Sequence, residues 1–389
     1  SNPKHVVDKK TTANKLAPII NMTAEDILKI LNMKIKQCAK SDPDDCDYVT
    51  PYQVELGPGG RGITELTKEA IEKLELPGIG FIQSQKRSYQ NGDFASYLIG
   101  YAKKNDTGEL IGEMGIESYY NDILKGENGS IEYQRDAYGY KIPNTPENIE
   151  EASTGSDIYL TIDSTIQLKL ESAIKDISDN YNLDWITLTI ANAKTGAILG
   201  SASNPSFNPN TLDIEKYLIP LTQYTYEPGS TMKIFSFMAA MENGIYNGED
   251  KYQSGTIRVQ DATIKDFNNV GWGTITYDEG FTYSSNVAAT KLALKLGKTK
   301  LRNYYSLLGF GKKTGIELPG EATGKINFNY ETELATASFG QGITVTPIQH
   351  IQALTALGND GVMIKPYLVE KIVDVNNNKV TYQHEKEEL

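Results

Sequence analysis

The chain has 389 residues, enough for two or three ordinary domains. Hydrophobic residues make up 39% and charged residues 23%, a globular mixture that excludes disordered, collagenous and fibrous classes. The 50 acidic against 38 basic residues leave a net charge of −12 with no basic stripe, which argues against nucleic acid, and no run of about 18 uncharged apolar residues is present to cross a membrane.

From the N-terminus, Thr23 is placed to cap a helix whose apolar positions Ile27, Leu28, Ile30, Leu31 and Ile35 recur at near-helical spacing. Cys38 and Cys46 flank an acidic stretch, Ser41 to Asp47, that reads as a turn. A disulfide there suits an exported protein, and two free thiols suit the residues as well. Asp42, Asp44, Asp45 and Asp47 faintly suggest calcium, but the EF-hand glycine and terminal glutamate are missing, so a solvated turn is expected. Gly57-Pro-Gly59-Gly60-Arg-Gly62 matches G-x-G-x-x-G between a strand-like Tyr52–Leu56 and a helix over 64–74, with Glu75 beyond. The preceding segment is helical and acidic and no second βαβ half follows, so the motif is read as a loop in a non-catalytic domain and no dinucleotide is expected. Residues 81–101 read as strands and turns, and 126–156 as a polar, turn-rich stretch. The domain boundary is placed near Ser153, giving units 1–153 and 154–389.

Beyond it, Ile158, Leu160 and Ile162 alternate as in a strand, and Asp163 or Ser164 caps a helix with the stripe Ile166, Leu170, Ile174 and Ile177. Ile186, Leu188 and Ile190 form a second strand, residues 192–196 a turn, and 197–203 a third strand. A helix followed by an antiparallel hairpin and more helices is an α+β order, without the βα alternation of a Rossmann domain. The three histidines, His5, His350 and His384, lie near the ends, away from any nucleophile in a recognisable setting, so Ser-His-Asp and Cys-His chemistries have little support. Cys/His zinc spacings are absent and no metal is expected.

The strongest chemical signal is Glu227-Pro-Gly-Ser230-Thr-Met-Lys233, followed by the apolar residues Ile234, Phe235, Phe237, Met238 and Met241 and closed by Asn243-Gly244. Residues three apart on a helix are neighbours, so the Lys233 amine reaches the Ser230 hydroxyl. Serine needs a base to take its proton, and lysine serves only when burial and local positive potential depress its pKa. S-x-x-K also occurs at Ser1–Lys4 and Ser172–Lys175, but only Ser230 stands at a glycine-preceded helix start with an apolar stripe behind it. Further on, Ser284-Ser285-Asn286 opens the helix 287–296; the other S-x-N matches, Ser178–Asn180 and Ser206–Asn208, read as helix end and turn.

EPGSTMK with SSN resembles the active-site pair of the penicillin-binding proteins. Within them the chain resembles a class B, monofunctional D,D-transpeptidase, and the likeness covers most of the sequence. IYLTIDSTIQ, NAKTGAILGSASNPSFNPN and SFGQGITVTPIQ resemble transpeptidase-domain blocks. QNGDFASYLIGY and GEMGIESYYNDILKGENGS, with Asp136 and Gly139, resemble the pedestal. The resemblance implies an α+β architecture: a mixed pedestal domain over 1–153, then a β-lactamase-like serine-lysine transpeptidase domain over 154–389 with a central antiparallel sheet between helices. It implies Ser230 as the acylated nucleophile, Lys233 as its base, Ser284 as proton relay to the leaving group and Asn286 as a substrate-binding amide, with no cofactor and no metal.

The family's third motif, K-T-G on a strand after SFGQG, does not follow here; Lys194–Gly196 and Lys313–Gly315 spell it in a hairpin turn and a later loop. The chain is therefore expected to be clipped at both ends, missing a membrane anchor before His5 and the third motif after SFGQG, and to bind β-lactams poorly in this form. Implied partners are peptidoglycan stem peptides, β-lactams, a membrane glycosyltransferase and other cell-wall proteins, at the outer face of a bacterial plasma membrane. The alternatives are a non-catalytic β-lactam-binding sensor or scaffold, a D,D-carboxypeptidase or β-lactamase, and, more distantly, a cofactor-binding protein.

Overall fold

The structure, a computed structural model, describes residues 1–39, 42–84, 86–105, 108–136 and 141–389. Ser41 and Gly139 lie outside the described residues. The chain forms two compact units, residues 1–87 with 129–151, and 88–128 with 152–389.

In the first unit the Thr23 hydroxyl caps the helix Ala24–Leu31 by accepting from Asp26 N–H at 3.1 Å. Ile27 and Leu31 face a core with Leu16, Ile20, Val54 and Ile71. The helix ends at Leu31, so Ile35 is not part of its stripe; it begins the strand Ile35–Ala39 instead. That strand pairs antiparallel with Asp42–Val49, which makes the acidic stretch expected as a turn into a strand. Cross-strand pairing here overrides the poor strand propensity of aspartate. Cys46 is disulfide-bonded, and the register sets Cys38, the other cysteine, directly opposite it.

The glycine-rich motif forms a 3-10 turn, Pro58–Gly60, preceded by irregular chain where a strand was expected. A β-carbon on Gly59 would lie 2.0 Å from the Ile20 carbonyl oxygen. The glycine is thus required by the approach of the protein's own backbone, which accounts for the pattern without a phosphate. The helix expected over 64–74 follows as Glu65–Glu72, with Thr64 as its cap.

Among the described residues, 81–101 hold no strand, and the one regular element there is the short helix Ser96–Ile99, which lies in the second unit. Tyr97, Leu98, Tyr101, Met114 and Ile116 share one core with Ile198, Phe207, Ile219 and Leu368. The rings of Tyr97 and Tyr101 meet Phe207 edge-on at 5.1 and 6.0 Å. This burial is what draws 88–128 into the second unit, so the compact division differs from a single cut near Ser153.

Asp163 caps the helix Ser164–Asn180, and the strands Ile186–Ala191 and Ile198–Asn204 form the expected hairpin. Asp157–Leu160 joins Val369–Asp374 and Lys379–Gln383 in a three-stranded antiparallel sheet. Helices fill the middle of the unit. Lys233–Glu242 is apolar on opposite sides: Phe235 and Ala239 enter a core with Tyr305, Phe310 and Phe328, while Phe237 and Ala240 enter another with Tyr252, Val287 and Leu292. A helix apolar all round is an interior helix, and this one carries the serine-lysine motif.

Candidate active site

Ser230 lies in a 3-10 turn, Gly229–Met232, that feeds the helix Lys233–Glu242, rather than in the first α-helical turn. Gly229, at φ 59°, supplies the left-handed residue that starts the turn. Lys233 is the first residue of the α-helix and only 3% exposed. Its Nζ donates to Ser230 Oγ at 3.0 Å, to Ser284 Oγ at 3.0 Å and to the Ser284 carbonyl at 2.5 Å. Burial pushes the ammonium down to about 8, against the opposing attraction of Asp266. The motif geometry therefore yields a lysine able to shed its proton near neutral pH, hydrogen-bonded to two hydroxyls.

Ser284 is positioned by a tight passage between two helices. Tyr277–Thr282 ends just before it, and Ser284 takes φ 55°, a left-handed conformation uncommon outside glycine. The Ser285 N–H then closes on the Gly280 carbonyl at 2.8 Å. Ser285 Oγ caps the helix Asn286–Leu296 by accepting from Ala288 N–H, and it donates to Asp266 Oδ1 at 2.8 Å. The Asp266 carboxylate also accepts from the N–H groups of Val287 at 3.0 Å and Gly255 at 2.8 Å, and it is 1% exposed. Asn286 donates its amide to the Lys265 carbonyl at 2.8 Å.

Asp266 is the site residue that sequence reasoning missed. It belongs to no motif, and one aspartate among 50 acidic residues carries no signal until folding brings it under Ser285.

A segment over 338–345 straps the nucleophile turn. Gly229 N–H donates to Gly340 O at 3.0 Å, Glu227 Oε1 accepts from Gly342 N–H at 2.9 Å, and Tyr226 bridges Val345. Behind the helix, Ser236 Oγ donates to Ser338 O at 2.6 Å and lies 2.7 Å from the Tyr305 hydroxyl.

The structure thus brings Ser230, Lys233 and Ser284 into one hydrogen-bonded cluster, with Asn286 two residues after Ser284 at the start of the next helix. The other K-T-G triplets are engaged elsewhere. Lys194 sits in the turn after Ile186–Ala191, its N–H on Asn192 Oδ1. The N–H groups of Thr314 and Gly315 donate to the buried Glu321 carboxylate at 2.6 and 3.0 Å. His350 is buried edge-on to Phe235 and Phe310, and burial holds its imidazole down to about 4. Among the described residues, no group of three or more His, Cys, Asp or Glu is placed to hold a metal, and no helix is long and apolar enough to cross a membrane.

Comparison with known proteins places these features in a family. Residues 186–388 match the penicillin binding protein transpeptidase domain, and residues 1–160 match the penicillin-binding protein dimerisation domain. The chain is similar to Stage V sporulation protein D of Bacillus subtilis, with 35% identity over 96% of this chain and 56% of that protein. It is similar to the peptidoglycan D,D-transpeptidase FtsI of Escherichia coli K12, with 29% identity over 78% of this chain and 51% of that protein. Among solved structures it resembles penicillin binding protein 2X of Streptococcus thermophilus, with a TM-score of 0.76 and 32% identity over 98% of this chain and 56% of that one. The chain spans about half the length of the curated relatives it matches.

Proposed function

The chain belongs to the class B penicillin-binding proteins, and from that premise we propose that it is the core of a serine D,D-transpeptidase that cross-links peptidoglycan stem peptides. The observation that carries the reading is the buried Lys233 amine, 3.0 Å from both Ser230 Oγ and Ser284 Oγ. Neutral Lys233 takes the Ser230 proton as Oγ attacks the penultimate D-Ala carbonyl of a donor stem. The peptide C–N bond breaks, and the leaving D-Ala takes a proton passed from Lys233 through Ser284. An acceptor amine then attacks the Ser230 ester, forming the cross-link and restoring the hydroxyl. The Ser230 N–H is one donor to the oxyanion, and the Asn286 amide, oriented by Lys265 O, holds the acyl chain. β-Lactams acylate the same oxygen. The reaction takes place at the outer face of a bacterial plasma membrane, with β-lactams and stem peptides as ligands and a membrane glycosyltransferase as a working partner; no cofactor enters the chemistry.

The test is turnover. Full-length protein given a stem-peptide donor and a D-amino-acid acceptor forms the exchanged peptide, and Ser230→Ala does not. Trapping of penicillin without any exchange of stem peptides instead favours the sensor reading, and release of D-Ala to water alone favours a carboxypeptidase.

A further inference from the structure

An unusual surface adjoins this cluster. Phe267 is 72% exposed, Val270 81% and Tyr283 42%. Trp272 stacks on Tyr283 at 5.0 Å with 21° between planes, and Phe267 leans on Trp272 at 5.6 Å. Large apolar side chains grouped on a surface mark a contact site more often than chance exposure. These rings are tied to the site by the chain itself. Tyr283 precedes Ser284, and Phe267 follows Lys265 and Asp266, which hold Asn286 and Ser285. Their loop is also internally fixed: Gly271 N–H donates to Asn268 Oδ1 at 2.8 Å, and Trp272 N–H donates to Ser254 Oγ at 2.7 Å. The rings are therefore preorganised, and binding to them costs little ordering.

We propose that the Phe267–Trp272–Tyr283 cluster is a carbohydrate subsite that receives the flat C–H face of an N-acetylated hexosamine in the substrate's glycan. The proposal rests on the transpeptidase reading above. The segment 267–273 reads FNNVGWG and carries no ionisable side chain. An anionic stem peptide finds no counter-charge within it, the exposed Lys265 lying two residues before Phe267 in the chain. A pyranose is neutral, with one apolar face whose polarised C–H groups suit the negative face of an aromatic ring and a polar rim suited to an amide such as that of Asn269. The subsite would hold the strand while its peptide reaches Ser230.

The probe is chitotetraose, a peptide-free N-acetylglucosamine oligomer, titrated into the full-length protein and followed by saturation-transfer NMR. Binding is expected in wild type and is expected to weaken at least about fivefold in Phe267→Ala and Trp272→Ala. Phe267 is exposed enough for its loss to leave the fold intact, so that variant carries the test if Trp272→Ala misfolds. No saccharide binding by wild type, or equal binding by wild type and Phe267→Ala, overturns the proposal. Ring-dependent binding of a stem peptide without saccharide binding overturns it in favour of a peptide subsite. Absent acylation of wild-type Ser230, with saccharide binding intact, counts against the transpeptidase reading instead.

Discussion

Gly340 approaches Gly229 so closely that a β-carbon on Gly340 would lie 2.2 Å from the Gly229 carbonyl oxygen. Gly340 also takes φ 77°, where side chains are strained. The strap thus fits against the nucleophile turn only because residue 340 carries no β-carbon. Gly340→Ala is expected to destabilise the protein by more than about 1 kcal/mol and to slow penicillin acylation at least about tenfold. Thermal unfolding and stopped-flow acylation check both. An unchanged acylation rate would mean that the strap does not set the position of Ser230.

Lys233 gives the reaction a pH signature. Burial lowers its ammonium to about 8, so the neutral base form grows as pH rises through that value. The acylation rate is expected to rise across the same window and level off above it. Lys233→Ala is expected to lose at least about a hundredfold and the rising limb with it. A flat profile from pH 6.5 to 9 in wild type argues for another base.

Asp266 is expected to act through its neighbours. An amide in its place cannot accept from Ser285, Val287 and Gly255 together, so Asp266→Asn should cost about 1–3 kcal/mol. Its negative charge also raises the Lys233 pKa, so removing that charge lowers it. The midpoint of the acylation profile should therefore move to lower pH, a change that a purely structural role would not produce. An unmoved midpoint refutes the electrostatic part.

His350 bears on stability rather than chemistry. Its folded-state pKa of about 4 lies below the ordinary 6.5, so the unfolded chain takes up the proton first as pH falls. Its contribution is intact above pH 6.5 and is lost from there down to about 4, reaching about 3 kcal/mol. His350→Leu should lose less stability between pH 7 and 4 than wild type does, as measured by denaturant unfolding at each pH.

What was legible in the sequence depended on range. Ser230 and Lys233 are one helical turn apart, so local spacing suffices to pair them. Ser284 and Asn286 needed the family resemblance, because S-x-N alone occurs at two other places. The caps Thr23 and Asp163 were readable because a cap is a short-range hydrogen bond. The placement of 88–128 in the second unit was not, since Tyr97 and Tyr101 find Phe207 only through tertiary packing. The same holds for Asp42–Val49, whose strand character comes from its partner, and for Asp266, whose role is defined by what folds onto it.

The central claim is that Ser230 is the acylated nucleophile. The most direct test is incubation of the full-length protein with a penicillin, then intact-mass measurement and peptide mapping of the adduct. One adduct per chain on the peptide containing Ser230, absent in a folded Ser230→Ala variant, is the predicted result. An adduct on Ser284 or Ser172, or labelling that survives Ser230→Ala, would contradict the account.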